Sequence, residues 1–135
     1  MEHRLSIPGR YDRLEQVCQF VGQAALEAGL GEVEAGRCQL AVDEACTNII
    51  EHGYEGEDRG TIDLVCDAQD GELVITIQDH AKLFDPSQVP TPNLNVTLDE
   101  LKVGGLGLHF MRQVMDAVEF SYQDGANKLV LVKRR

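Results

Sequence analysis

The spacing of apolar residues changes once along this chain, from a helical period to a strand period, and that switch constrains the fold more than any other feature. From Tyr11 to Ala28 the residues Leu14, Val17, Cys18, Val21 and Ala25 recur at steps of three and four, which predicts an amphipathic helix stopped near Gly29. A second helix is predicted from about Val33 to His52, where Cys38, Val42, Ala45, Cys46 and Ile49 form one stripe and Gly53 stands ready to end it. Beyond that point the period is two. Ile62, Leu64 and Cys66 alternate with Thr61, Asp63 and Val65, and Leu73, Ile75 and Ile77 follow an Asp70-Gly71 pair that predicts a β-hairpin. From Asp85 to Gly105 the chain is polar and carries Pro86, Pro90 and Pro92, a long loop of the kind that usually serves as a lid. A third helix is predicted after Gly107, with Leu108, Met111, Val114 and Met115 as its stripe. Strands at Val118 to Tyr122 and Lys128 to Val132 flank an Asp124-Gly125 turn, and a short strand at Arg4 to Ile7 opens the chain. The expected architecture is a two-layer α+β sandwich, with helices on one face of a mostly antiparallel, mixed sheet.

A length of 135 residues suits one domain, and 43% hydrophobic content argues against disorder. Twelve basic against 23 acidic residues give a formal charge of −11, which speaks against direct nucleic-acid binding and favours a basic protein partner. No apolar run reaches the roughly 18 residues a membrane span needs, and the opening MEHRLSIPGRYD lacks the apolar stretch of a signal peptide. A cytoplasmic protein without membrane association is expected. Cys18, Cys38, Cys46 and Cys66 include no CxxC pair and no zinc-like spacing. They are expected as buried thiols serving as small hydrophobes.

Three groups of residues offer chemistry, each with a plainer reading beside it. Glu44 and Asn48, four apart on the second helix, project to the same side. They place a possible general base next to an oxygen ligand for Mg²⁺, or form an ordinary solvated face. His52 and Glu51 beside them read as surface residues. Asp79 ends the second hairpin strand, where it either starts a turn or accepts a hydrogen bond from an exocyclic amine such as that of adenine. Phe84 then either packs under a ring or anchors the loop. Gly104-Gly105-Leu106-Gly107-Leu108 precedes a helix, where glycines let backbone N–H groups converge on a phosphate or simply form a hinge. Neither a Walker sequence nor a Rossmann fingerprint is present.

The order of these groups resembles the Bergerat ATP-binding fold of gyrase, Hsp90, histidine kinases and MutL, and within it the small anti-sigma factor serine kinases of bacterial partner switching. The residues that carry the likeness are AVDEACTNIIEHGY at 41 to 54, IQDHAKLFDP at 77 to 86, GGLGLHFMRQVMD at 104 to 116 and NKLVLVKR at 127 to 134. It spans nearly the whole chain, as one histidine-kinase-like ATPase domain over residues 1 to 135 with an ATP lid at about 85 to 105. The resemblance implies ATP and Mg²⁺ as cofactors, Glu44 as general base toward a substrate hydroxyl, and Asn48 as the Mg²⁺ ligand. It also implies an ATP site containing Asp79, Ala81 and Phe84 and the run Gly104, Gly105, Leu106, Gly107 and Leu108. Asp79 would bind the adenine amine and Gly105 and Gly107 the phosphates. Lys102 either reaches the γ-phosphate or is a solvated lid lysine. One departure stands out: Ala81 occupies a position that is usually glycine in the family, and its methyl is expected to weaken nucleotide binding.

The implied partners are a STAS-domain anti-sigma factor antagonist, phosphorylated on serine or threonine, and a sigma factor; a homodimer is also compatible. Two other functions fit the same residues. One is a non-catalytic nucleotide-binding switch that sequesters a sigma factor or other regulatory protein, motivated by Ala81. The other is a kinase whose client is not a sigma factor.

Overall fold

A computed structural model describes residues 1–86 and 105–135, with the backbone alone for 105–107. Strand β1 (Glu2–Pro8) leads through a single 3-10 turn (Tyr11–Arg13) into helices α1 (Leu14–Glu27) and α2 (Glu32–Asn48). Strands β2 (Thr61–Gln69) and β3 (Glu72–Asp79) form a hairpin. Helix α3 (Gly105–Val114) precedes strands β4 (Ala117–Gln123) and β5 (Ala126–Arg134). The sheet order is β1-β2-β3-β5-β4.

All four pairings are antiparallel, so neighbouring strands show none of the mixed character expected. The connections explain this. The excursion from β3 through α3 to β4 makes those two strands run in the same direction, but the hairpin brings β5 between them, antiparallel to both. The β4–β5 turn places both Asp124 and Gly125 at positive φ (55° and 78°), the geometry a tight hairpin requires and the reason Asp-Gly marks it in the sequence.

The core lies between the helices and the inward sheet face. Val17, Val21 and Ala25 of α1 and Cys38, Val42 and Cys46 of α2 are fully buried against Ile62, Leu64, Cys66, Leu73, Ile75 and Leu131. Cys38, Cys46 and Cys66 are buried free thiols, as expected, and Cys18 is half-buried. Burial pushes the Cys46 and Cys66 thiols up to about 12, so they stay protonated. The third helix starts at Gly105, ahead of the expected start after Gly107. Met115, expected on its stripe, is buried just beyond its end.

Topology decides where a site can form. The chain leaves β3 at Asp79, and β5 begins beside it, with Asp79 opposite Asn127. At the far edge, Lys133 of β5 donates a hydrogen bond to the Val114 carbonyl at the end of α3 (2.7 Å). The C-terminal end of α3 is therefore pinned at the end of the sheet opposite Asp79. The C-terminal end of α2 arrives at the Asp79 end, because the Tyr54 hydroxyl just beyond it donates to the carbonyl of Thr61 at the start of β2 (2.6 Å).

Candidate functional site

Asp79 is 6% exposed at the last position of β3, with its side chain on the inward face of the sheet. Its Oδ1 accepts two hydrogen bonds, from the Ala81 N–H (2.9 Å) and the Asn127 Nδ2 (3.0 Å). Oδ2 makes no hydrogen bond to any described residue and is not sealed from solvent. A buried carboxylate with one oxygen held and the other open can accept a hydrogen bond from a ligand amine. The Ala81 bond is the turn-starting contact of the plainer reading, and it uses Oδ1 while leaving Oδ2 out of the turn.

Asn48 is the last residue of α2, and Glu44 lies one turn before it; both are half-buried. Burial raises the Glu44 carboxyl above its ordinary value, and the like charges of Asp43 and Glu51 push it further the same way. That direction suits a general base, which works best when its pKa approaches the working pH. The sequence predicts an α-helix to His52, whereas the last turn, Ile49–Gly53, is π-helical. Tyr54 N–H reaches the Ile49 carbonyl (2.8 Å) and Gly56 N–H the Ile50 carbonyl (2.8 Å), a widening frequent at functional sites. His52 and Glu51 are exposed, in line with their reading as surface residues.

The widened turn brings the end of α2 against the segment after β3. A Cβ on Gly53 would lie 3.0 Å from the Ala81 Cβ, so the Ala81 methyl sits against the bare face of Gly53. Ala81 is buried and lies outside the positive-φ region, so nothing in its backbone demands glycine. The Tyr54 hydroxyl accepts the His80 N–H (2.9 Å), and Lys82 pairs with Glu55 (2.8 Å). Phe84 packs its ring on Phe120 of β4, with centroids 5.0 Å apart, and anchors the loop while remaining 39% exposed.

Gly105, Leu106 and Gly107 form the first turn of α3, the part of a helix whose N–H groups have no partner within the helix and so favour an anion. Leu108 is buried in the core, so only its backbone can face a ligand. Lys102, Gly104 and most of the expected lid at about 85 to 105 lie outside the described residues. Among the described residues no cluster of three His, Cys, Asp or Glu side chains forms a metal site.

Asn127 and Tyr54 were quoted in the sequence motifs but given no role, and both hold this end of the sheet together. A signal for Asn127 existed: asparagine is disfavoured in strands, and this one falls on the inward side, in phase with Leu129 and Leu131. Tyr54 had none, because its two hydrogen-bond partners are known only once β2 and β3 are paired.

Residues 7–133 match the family model of the histidine kinase-like ATPase domain. The serine/threonine-protein kinase BtrW of Bordetella bronchiseptica is 35% identical over 92 residues, which are 68% of this chain and 65% of that protein, just under two thirds of its length. The serine-protein kinase RsbW of Bacillus cereus is 27% identical over 130 residues, 93% of this chain and 81% of that one. Two solved structures share the fold. The RsbU and RsbW domains of Rv1364c from Mycobacterium tuberculosis superpose with a TM-score of 0.68 at 16% identity, covering 99% of this chain and 32% of that one. The SiaB-SiaC complex of Pseudomonas aeruginosa gives 0.59 at 15% identity, covering 97% and 88%. The two-layer sheet-and-helix arrangement, the motif order and the match over residues 7–133 agree: the chain belongs to the histidine kinase-like ATPase domain family.

Proposed function

We propose that this chain is an ATP- and Mg²⁺-dependent serine/threonine kinase of the partner-switching type, which phosphorylates a STAS-domain antagonist and acts as an anti-sigma factor. The observation that carries the reading is the Asp79 carboxylate, buried and half-satisfied, at the end of the sheet that the Glu44 and Asn48 end of α2 also reaches. The similar proteins BtrW and RsbW are named serine/threonine- and serine-protein kinases, which supports the activity. Residues 1 to 135 act as one catalytic domain whose lid is the segment at about 85 to 105.

The donors present fit the nucleotide. Asp79 Oδ2 accepts the adenine amine, the N–H groups of the first turn of α3 bind phosphate, and Asn48 offers one amide oxygen to a Mg²⁺ ion otherwise held by phosphate and water. In the same reading Lys102 reaches toward the γ-phosphate and Gly104 belongs to the proposed ATP-binding run. Bound Mg·ATP supplies the phosphoryl group and most of the charge neutralisation. Glu44, with its carboxyl raised by burial, takes the proton from the attacking serine or threonine hydroxyl. Leu106 and Leu108 contribute backbone N–H groups, and Phe84 walls the loop.

The −11 charge favours approach to a basic sigma-factor surface by electrostatic steering, in the cytoplasm and as a monomer or homodimer. No described helix is long and apolar enough to cross a membrane. The non-catalytic alternative drew its motive from Ala81; with the Ala81 methyl lying against Gly53, that motive is weaker.

Calorimetric titration with ATP, with and without Mg²⁺, tests the site. Binding strengthened by Mg²⁺ and lost in Asp79→Asn and Asn48→Ala is expected, followed by phosphate transfer to a STAS protein that fails in Glu44→Ala. Absence of binding at millimolar ATP would refute the reading.

A further inference from the structure

We propose that Asn127 is a positioning residue for purine recognition: its amide holds one oxygen of Asp79 and thereby presents the other as the single acceptor for the exocyclic amine. The inference rests on the nucleotide reading above and adds to it a residue that never touches the nucleotide.

Among the described residues only three polar or charged side chains are buried, Asp79, Asn127 and Lys133, and the first two are bonded to each other across the β3–β5 ladder. A buried amide at an inward strand position costs stability unless every group on it is matched. Here it is. Asn127 Nδ2 donates toward Asp79 Oδ1 (3.0 Å), the Lys82 carbonyl (2.8 Å) and, more weakly, the Ala81 carbonyl (3.3 Å), while Oδ1 accepts the Phe84 N–H (2.9 Å).

These partners settle which way the amide points. Three of them only accept and the fourth only donates, so the flipped amide would set an oxygen against a carboxylate and two carbonyls. Both protons of Nδ2 are consumed inside the protein, as is the oxygen, and none is left for a ligand. Asn127 therefore acts through Asp79 and through the segment 81–84, which wraps around the amide.

The consequence for specificity follows from the count of acceptors. With Oδ1 occupied by the Ala81 N–H and the Asn127 amide, the carboxylate is fixed in twist and offers Oδ2 alone. A fixed carboxylate oxygen rewards a purine that carries an amine at that point and gains nothing from one that lacks it. Without Asn127 the carboxylate is free to turn, and the reward falls.

The test compares ATP with purine riboside triphosphate, which lacks only the 6-amino group, by calorimetry on the wild type and on Asn127→Leu, with thermal unfolding to verify folding. The wild type is expected to prefer ATP by about tenfold, the worth of one charge-assisted hydrogen bond. In Asn127→Leu that preference is expected to collapse toward unity. A variant that binds both nucleotides less well but keeps the wild-type ratio would overturn the proposal, since a merely structural role lowers both alike. A wild type that does not distinguish the two nucleotides would refute the pairing of Asp79 with the amine, and this inference with it. Should Asn127→Leu not fold, Asn127→Asp keeps the shape and the acceptor for Phe84 while turning an oxygen on Asp79; it too is expected to lose the preference, and retention would overturn the proposal.

Discussion

Gly53 and Ala81 form a matched pair, and exchanging their sizes tests how the end of α2 sets the position of Asp79. Gly53 is not at positive φ, so an alanine there is unstrained in itself and would gain about 0.5–1 kcal/mol from reduced unfolded-state entropy. The obstacle is Ala81, whose methyl would stand 3.0 Å from the new Cβ, against an ordinary carbon–carbon contact of roughly 3.5–4.0 Å. Ile49 Cγ2, at 3.9 Å, is no obstacle. Relief requires moving the segment that carries Asp79, which its bonds to Ala81 N–H and Asn127 hold in place. Overpacking of this kind costs about 1–3 kcal/mol. Gly53→Ala is therefore expected to destabilise modestly and to weaken ATP binding several-fold. In the Ala81→Gly background the same change is expected to be neutral or stabilising, giving a coupling of about 1–3 kcal/mol. Urea unfolding of the four proteins measures the cycle, and ATP titration measures its effect on the site. Additivity within about 0.5 kcal/mol, or an equal loss of ATP affinity from Gly53→Ala in both backgrounds, would refute the reasoning.

Glu44→Gln removes the proposed base and is expected to slow phosphate transfer by about 10²–10⁴-fold. It should also raise the melting temperature at neutral pH. The Glu44 carboxyl is raised in the folded protein, so the native state binds the extra proton, and stability falls as pH rises from the unfolded value through the folded one. A lower melting temperature at pH 7 would contradict that sign. In the wild type the acid limb of transfer rate against pH is expected above the ordinary glutamate value of 4.5. Glu51→Gln, which removes a like charge, should move that limb to lower pH, and an unmoved limb would exclude the coupling. Lys133→Met deletes the amine that bonds the Val114 carbonyl and is expected to cost about 1–3 kcal/mol in urea unfolding, while a neutral result would show that α3 is held by apolar packing alone.

The alternation of apolar residues was enough to place α1, α2, β2, β3 and β5, because each element must bury one face and its period reports which residues lie on that face. It could not foresee the π-helical turn at Ile49–Gly53, since a widened turn leaves the apolar pattern almost unchanged. Nor could it foresee that β5 separates β3 from β4, because strand order depends on which edges meet after the chain has turned back.

The residues of the candidate site divide along the same line. Glu44 and Asn48 were legible as a pair because helical spacing is local, and Asp79 because it ends a strand. That Asn127 joins the local Ala81 N–H in holding one oxygen of Asp79, and that Ala81 leans on Gly53, were decided by contacts between residues 28 to 48 positions apart, which no local pattern encodes. Sequence alone determined the elements and the chemical types available at their ends; the tertiary structure determined which of those groups share a boundary and which atoms are left over, because hydrogen-bond capacity is spent only when distant segments meet.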